Sequence, residues 1–216
     1  MEVCMQKRSS GRLSPGMIIL AIIGLSLAGL ALVTAFSPGS QADPVASKAD
    51  LIKRGEYLVK LGGCNDCHTP KIMGPNGPEP DPARMLMGQP ANAPIPSIPA
   101  GVISPTGWTA MTTADMTAWA GPWGISFSAN ITPDNVTGIG AWTEGAFIEA
   151  MRTGKHLGAG RPILPPMPWQ AIGQVSDDDL RALFAYLMSI KPISNQVPQP
   201  VPPAISPEMG MKGSTK

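Results

Sequence analysis

Residues 64–68 read Cys-Asn-Asp-Cys-His, and no other stretch narrows the possible folds as sharply. Two thiols three positions apart, followed at once by an imidazole, form the C-x-x-C-H signature of covalent c-type haem attachment. On a tight helical turn, Cys64 and Cys67 can each reach one of two neighbouring haem vinyl groups and close two thioether bonds. His68 is then carried beneath the iron, where an imidazole nitrogen is a common ligand.

Three other readings compete for the same residues: a thioredoxin-like redox pair, half of a zinc site, and a chance arrangement. A closed zinc site takes four protein ligands. Outside the motif the chain has one cysteine, Cys4, and one histidine, His156, so a second ligand pair is missing. A thioredoxin-like pair follows a strand in a βαβ pattern, and residues 50–70 carry no such pattern. A single C-x-x-C-H implies a single haem c. With Cys64 and Cys67 consumed by it, Cys4 has no partner for a disulfide framework.

Charged residues make up 14% of the 216, against roughly 25% in an average soluble domain. Part of that deficit is local. Met17 to Phe36 is an uncharged run long enough to cross a bilayer core as a helix. Lys7, Arg8 and Arg12 precede it, and the positive-inside rule then assigns residues 1–16 to the cytoplasm and the rest to the outside. The alternative is a cleaved leader, whose apolar region is usually shorter, with small residues at Val33-Thr34-Ala35 or Ser40-Gln41-Ala42 for the cut. Both readings export the chain. The formal net charge of +1 gives no electrostatic case for nucleic acid.

Beyond the apolar run, residues 37–46 read as a linker. A first soluble helix is expected from about Ser47, with Asp50 in capping-box spacing and Leu51, Gly55 and Leu58 on one face, ending at Gly62-Gly63. From Met73 to about Pro105 proline and glycine are too dense for a helix or a central strand. A bound haem would supply apolar surface for such a loop. A second helix opens at Trp142-Thr143-Glu144 and stops at Gly154, with Phe147, Ile148 and Met151 as its apolar stripe. A third begins at Ser176 with Asp179 in capping position, and buries Leu180, Leu183, Phe184 and Leu187. Residues 198–216 form a proline-rich tail, expected to be extended.

An iron that shuttles electrons needs a second axial ligand, and methionine is the usual one in cytochromes c. Of thirteen methionines, Met151 and Met188 are explained as helix core. Met73, Met85, Met87, Met111 and Met116 fall in irregular sequence and stay in contention. Met167 stands in Leu164-Pro165-Pro166-Met167-Pro168-Trp169. Three prolines restrict that backbone and hold the loop rigid between two helices. Met167 is the favoured ligand, with His156 as the bis-histidine alternative.

Gly55-Glu56-Tyr57-Leu58, the attachment site, Asn130-Ile131-Thr132-Pro133-Asp134, Thr137-Gly138-Ile139-Gly140, Pro166-Met167-Pro168 and Asp179 through Leu187 resemble the class I cytochrome c family, in its membrane-associated single-haem bacterial type. The resemblance covers residues 48–197 in pieces. It implies an all-α cytochrome c fold over residues 47–197, with N- and C-terminal helices crossing close to Gly55. The long Pro/Gly-rich loop is an insertion relative to small members of the family. Carried over, Cys64 and Cys67 are thioether anchors, His68 and Met167 axial ligands, and Arg161 and Trp169 donors to the haem propionates.

The function that follows is electron transport: a periplasmic haem protein on the inner membrane, tethered by its N-terminal helix or released from it. Its donor and acceptor are expected to be dehydrogenase or oxidase subunits of a respiratory chain. It is expected to be no enzyme itself, whether it works alone or as the cytochrome subunit of an oxidoreductase complex. A haem enzyme or gas sensor would need a displaceable sixth ligand, and a non-haem interaction protein would leave Cys64 and Cys67 unmodified.

Overall fold

The structure, a computed structural model, describes residues 47–203. The expectations for residues 1–16, 17–36 and 37–46, and for the tail from residue 204, lie outside the described residues. Among the described residues no helix is long and apolar enough to cross a membrane.

Helix α1 spans Lys48–Leu61 and starts where its cap dictates: the Ser47 hydroxyl accepts the Asp50 amide at 3.2 Å. It ends as the Gly62 amide returns to the Leu58 carbonyl, and one turn later α2 carries Cys64–His68. Helix α3, Glu144–Thr153, is capped by Thr143 and stopped by Gly154 in the left-handed region. A short α4, Trp169–Ile172, leads to α5, Asp177–Leu187, capped by Ser176 through the Asp179 amide.

Helices α1 and α5 pack at van der Waals limit. A Cβ placed on Gly55 would stand 1.9 Å from the Ala182 carbonyl oxygen, so only glycine lets the two backbones meet. Arg54 closes the crossing with two bonds to Asp179, at 2.8 and 3.2 Å. Behind it lies a cluster of Val59, Leu86, Ile139, Phe147, Ala150, Met151, Leu180 and Leu187. Burying a side chain such as Leu180 contributes roughly 1.5–3 kcal/mol.

The described residues are part helix and part sheet, which an all-α architecture leaves unaccounted for. The stretch from Met73, expected to be irregular throughout, takes part in a hairpin: β1 (Lys71–Gly74) pairs antiparallel with β2 (Gly77–Pro80). Its register explains why two prolines are tolerated. With a two-residue loop, Gly74 and Gly77 form the hydrogen-bonded closing pair. Pro78 and Pro80 then oppose Met73 and Lys71 at non-hydrogen-bonded positions, where no N–H is required. A second sheet has the order β3 (Met111–Thr112), β4 (Ala118–Gly121), β5 (Gly124–Phe127), all antiparallel. The chain beyond residue 197 is extended yet not free, since Val201 exchanges both backbone hydrogen bonds with Ile125.

Candidate haem-attachment site

The α2 turn is fixed at both ends. The Asp66 amide donates to the Gly63 carbonyl at 2.8 Å. At the other end the Lys71 ammonium donates to the carbonyls of Asn65, Asp66 and Thr69 at 2.8, 2.9 and 2.7 Å. A cation among the terminal carbonyls of a helix is favourable. The cost of partial burial shows in the Lys71 pKa, which is pushed down by desolvation against the pull of Asp66. Thr69 adds a second tie: its hydroxyl donates to Asn65 Oδ1 and accepts the Leu86 amide.

His68 is 8% exposed. Its Nδ1 lies 2.8 Å from the Ala129 carbonyl oxygen. A carbonyl only accepts, so Nδ1 carries the hydrogen and Nε2 keeps its lone pair. Nε2 has no hydrogen-bond partner among the described residues. Burial pushes the His68 pKa down, outweighing the Ala129 bond, and the ring is neutral at pH 7. A neutral imidazole with Nδ1–H oriented by a backbone carbonyl is the usual form of a metal-ligating histidine.

Cys64 and Cys67 are unpaired and half-buried. Burial pushes both thiols up, with the Asp66 carboxylate adding to the effect. That is the opposite of the lowered pKa of a reactive thiolate pair. Among the described residues no group of three or more His, Cys, Asp or Glu side chains could hold a metal ion, which leaves a protein-closed zinc site without ligands. Two protonated thiols beside an imidazole with an open Nε2 fit a haem attached through Cys64 and Cys67 and ligated by His68.

Met167 is half-buried and packs against the same core cluster as Cys64. Of the methionines in contention, Met73 is 79% exposed, and Met85, Met87, Met111 and Met116 have no place in that cluster. His156 lies edge-on to Trp142, ring centroids 4.9 Å apart, and its pKa is pushed down by burial and then by Arg161. Arg161 is exposed, its guanidinium 3.4 Å from the Pro162 carbonyl. The Trp169 indole covers Gly154, where a Cβ would stand 2.3 Å from the ring. Neither Arg161 nor Trp169 hydrogen-bonds to the Cys64–His68 turn.

Sequence reasoning missed Lys71 and the carbonyl of Ala129. A lysine just past a helix C-terminus is a readable signal. A backbone carbonyl has none.

No family model matches the sequence. Over 147 residues, 68% of its length, the chain is 34% identical to the gluconate 2-dehydrogenase cytochrome c subunit of Pantoea cypripedii, covering 24% of that protein. It is 33% identical over 174 residues to the cytochrome c subunit of the quinone alcohol dehydrogenase of Gluconobacter oxydans, 80% of this chain and 28% of that one. It is also 28% identical over 176 residues to the fructose dehydrogenase cytochrome subunit of Gluconobacter japonicus, 80% of this chain and 29% of that protein. The chain thus spans less than a third of the length of the curated relatives it matches. Similarity to cytochrome c subunits of dehydrogenases supports a c-type cytochrome with haem c, and is consistent with a non-enzymatic electron-transfer subunit.

Proposed function

We propose that this chain is a single-haem cytochrome c with His68 and Met167 as axial ligands, carrying electrons away from a dehydrogenase at the periplasmic face of the inner membrane. The observation that carries the reading is the state of His68: buried, neutral, Nδ1–H engaged by Ala129 and Nε2 open, on a turn that also presents two unpaired thiols. Cys64 and Cys67 would hold the haem covalently, and the prolines around Met167 would restrict the loop that presents its thioether. Haem, when bound, supplies an iron that gains and loses one electron. The residues contribute fixed ligands on both sides, so that neither changes partner with oxidation state. Similarity to dehydrogenase cytochrome subunits supports a dehydrogenase as donor; a terminal oxidase is the acceptor that fits. Residues 17–36 would tether the domain, raising its effective concentration near partners in the same membrane.

Expression with an active haem-maturation system and a spectrum of the purified full chain test this. The oxidised protein is expected to be low-spin with a sulfur-to-iron charge-transfer band, and Met167→Ala is expected to abolish that band while leaving the haem covalently bound. A high-spin native spectrum with rapid carbon monoxide binding would instead favour a haem enzyme or gas sensor. Membrane fractionation tests the tether: the protein is expected to stay with the membranes after a carbonate wash.

A further inference from the structure

Ser126 is 6% exposed and sits on β5 opposite Trp119. Its hydroxyl donates to the carbonyl of Pro165 at 2.5 Å and accepts the indole N–H of Trp123 at 3.1 Å. The Trp119 carbonyl at 3.4 Å is the poorer acceptor, and a hydroxyl has one proton to give. Pro165 stands two residues before Met167. Three residues past Ser126, the same run of chain ends at Ala129, whose carbonyl holds the His68 ring. The run itself is pinned between them: the Ser128 amide donates to Thr117 O, and Ser128 O accepts the Gln89 amide. The Thr117 hydroxyl closes the frame on Gln89 Oε1.

We propose that residues 126–129 form one brace that positions both axial side chains, with Ser126 as the positioning residue for Met167. The inference rests on the reading of Met167 as an iron ligand, and it gives the second sheet a task. Trp123 orients the Ser126 hydroxyl, the hydroxyl holds the Pro165 carbonyl, and the Pro165–Pro168 loop cannot swing its thioether away without breaking that bond. On the other side Ala129 fixes the plane of the His68 ring. Without the Ser126 bond the loop reaches open conformations more often, and the thioether yields to competing ligands.

Imidazole titration of the oxidised, haem-loaded full chain measures this, because added imidazole takes the iron only when the thioether leaves. Losing a buried hydrogen bond is expected to lower the imidazole concentration for half-loss of the charge-transfer band about tenfold in Ser126→Ala. Ser126→Thr keeps a hydroxyl and is expected to stay within about threefold of the native value. Trp123→Phe, which leaves the Ser126–Pro165 bond but frees the hydroxyl to rotate, is expected to fall between them and decides the matter if Ser126→Ala does not fold. A Ser126→Ala curve that superimposes on the native one, with the band abolished by Met167→Ala, would overturn the brace and leave the ligand standing. A band that survives Met167→Ala would remove the ligand itself.

Discussion

At the scale of single residues, the backbone of His68 depends on a contact that only glycine allows. The Gly88 amide donates to the His68 carbonyl at 2.8 Å, and Gly88 adopts φ +75°. A Cβ there would stand 2.2 Å from the Ser128 carbonyl oxygen and 2.5 Å from the Ala129 carbonyl carbon, pressing on the segment past β5 that orients the ring. Gly88→Ala therefore combines left-handed strain with a backbone clash, and a loss of about 3 kcal/mol is expected in denaturant unfolding of the haem-loaded protein. The reduction potential should move with it, since the imidazole plane is disturbed. An unchanged unfolding midpoint would show that the segment yields freely. This dependence was not legible in the sequence. C-x-x-C-H is readable because its chemistry lies in consecutive side chains. The carbonyl that orients His68 comes from 61 residues away and has no residue type of its own. Met167 could be singled out only because three prolines surround it. Arg161 and Trp169 came from resemblance, and among the described residues they contact Pro162 and Gly154.

Among elements, the crossing of α1 and α5 sets how the motif is presented, because α1 runs directly into the Cys64 turn. The Arg54–Asp179 pair fastens the crossing, and the guanidinium hydrogen bond holds the Asp179 carboxyl below its ordinary 3.8. A depressed carboxylate stabilises the fold above its unfolded value and loses that contribution as pH falls through the lower folded value. Asp179→Asn should therefore be less stable than the native protein at pH 7, and the two thermal midpoints should converge as pH falls from the ordinary 3.8 through the lower folded value. A constant gap across that range would assign the loss to helix packing instead of the charge. Helix starts at Ser47, Thr143 and Ser176 were legible because a capping side chain acts within three residues of its own position. The β1–β2 hairpin was not. Proline density argues against a strand until the register is known, and only then do Pro78 and Pro80 fall where an N–H is dispensable.

Over the whole molecule, one buried residue ties together three distant stretches of chain. Asn195 donates to the carbonyls of Met87 and Gln89 and accepts the Ala91 amide, while its backbone amide reaches Thr137. Asn130, next to the carbonyl that holds His68, donates to Ile193 O. The segment after α5 is thereby built into the frame around the His68 side of the site, and Val201 extends the same tie to β5. The described residues carry one C-x-x-C-H motif, on α2. A carrier with one such centre exchanges one electron at a time, whereas oxidation of an organic substrate by a dehydrogenase releases two. On the single-haem reading proposed above, two reduced copies, or two successive encounters, would serve each turnover of a two-electron donor. A small, quickly released docking surface suits that demand, and weak redox encounters are of this kind. The measurable consequence is a potentiometric titration of the full chain that follows one Nernst wave. Its slope should be about 59 mV per tenfold change in the oxidised-to-reduced ratio, with one iron per chain by elemental analysis. Two resolved waves, or an iron-to-chain ratio of two, would place a second redox centre in the protein, and the two-encounter scheme would fall with it.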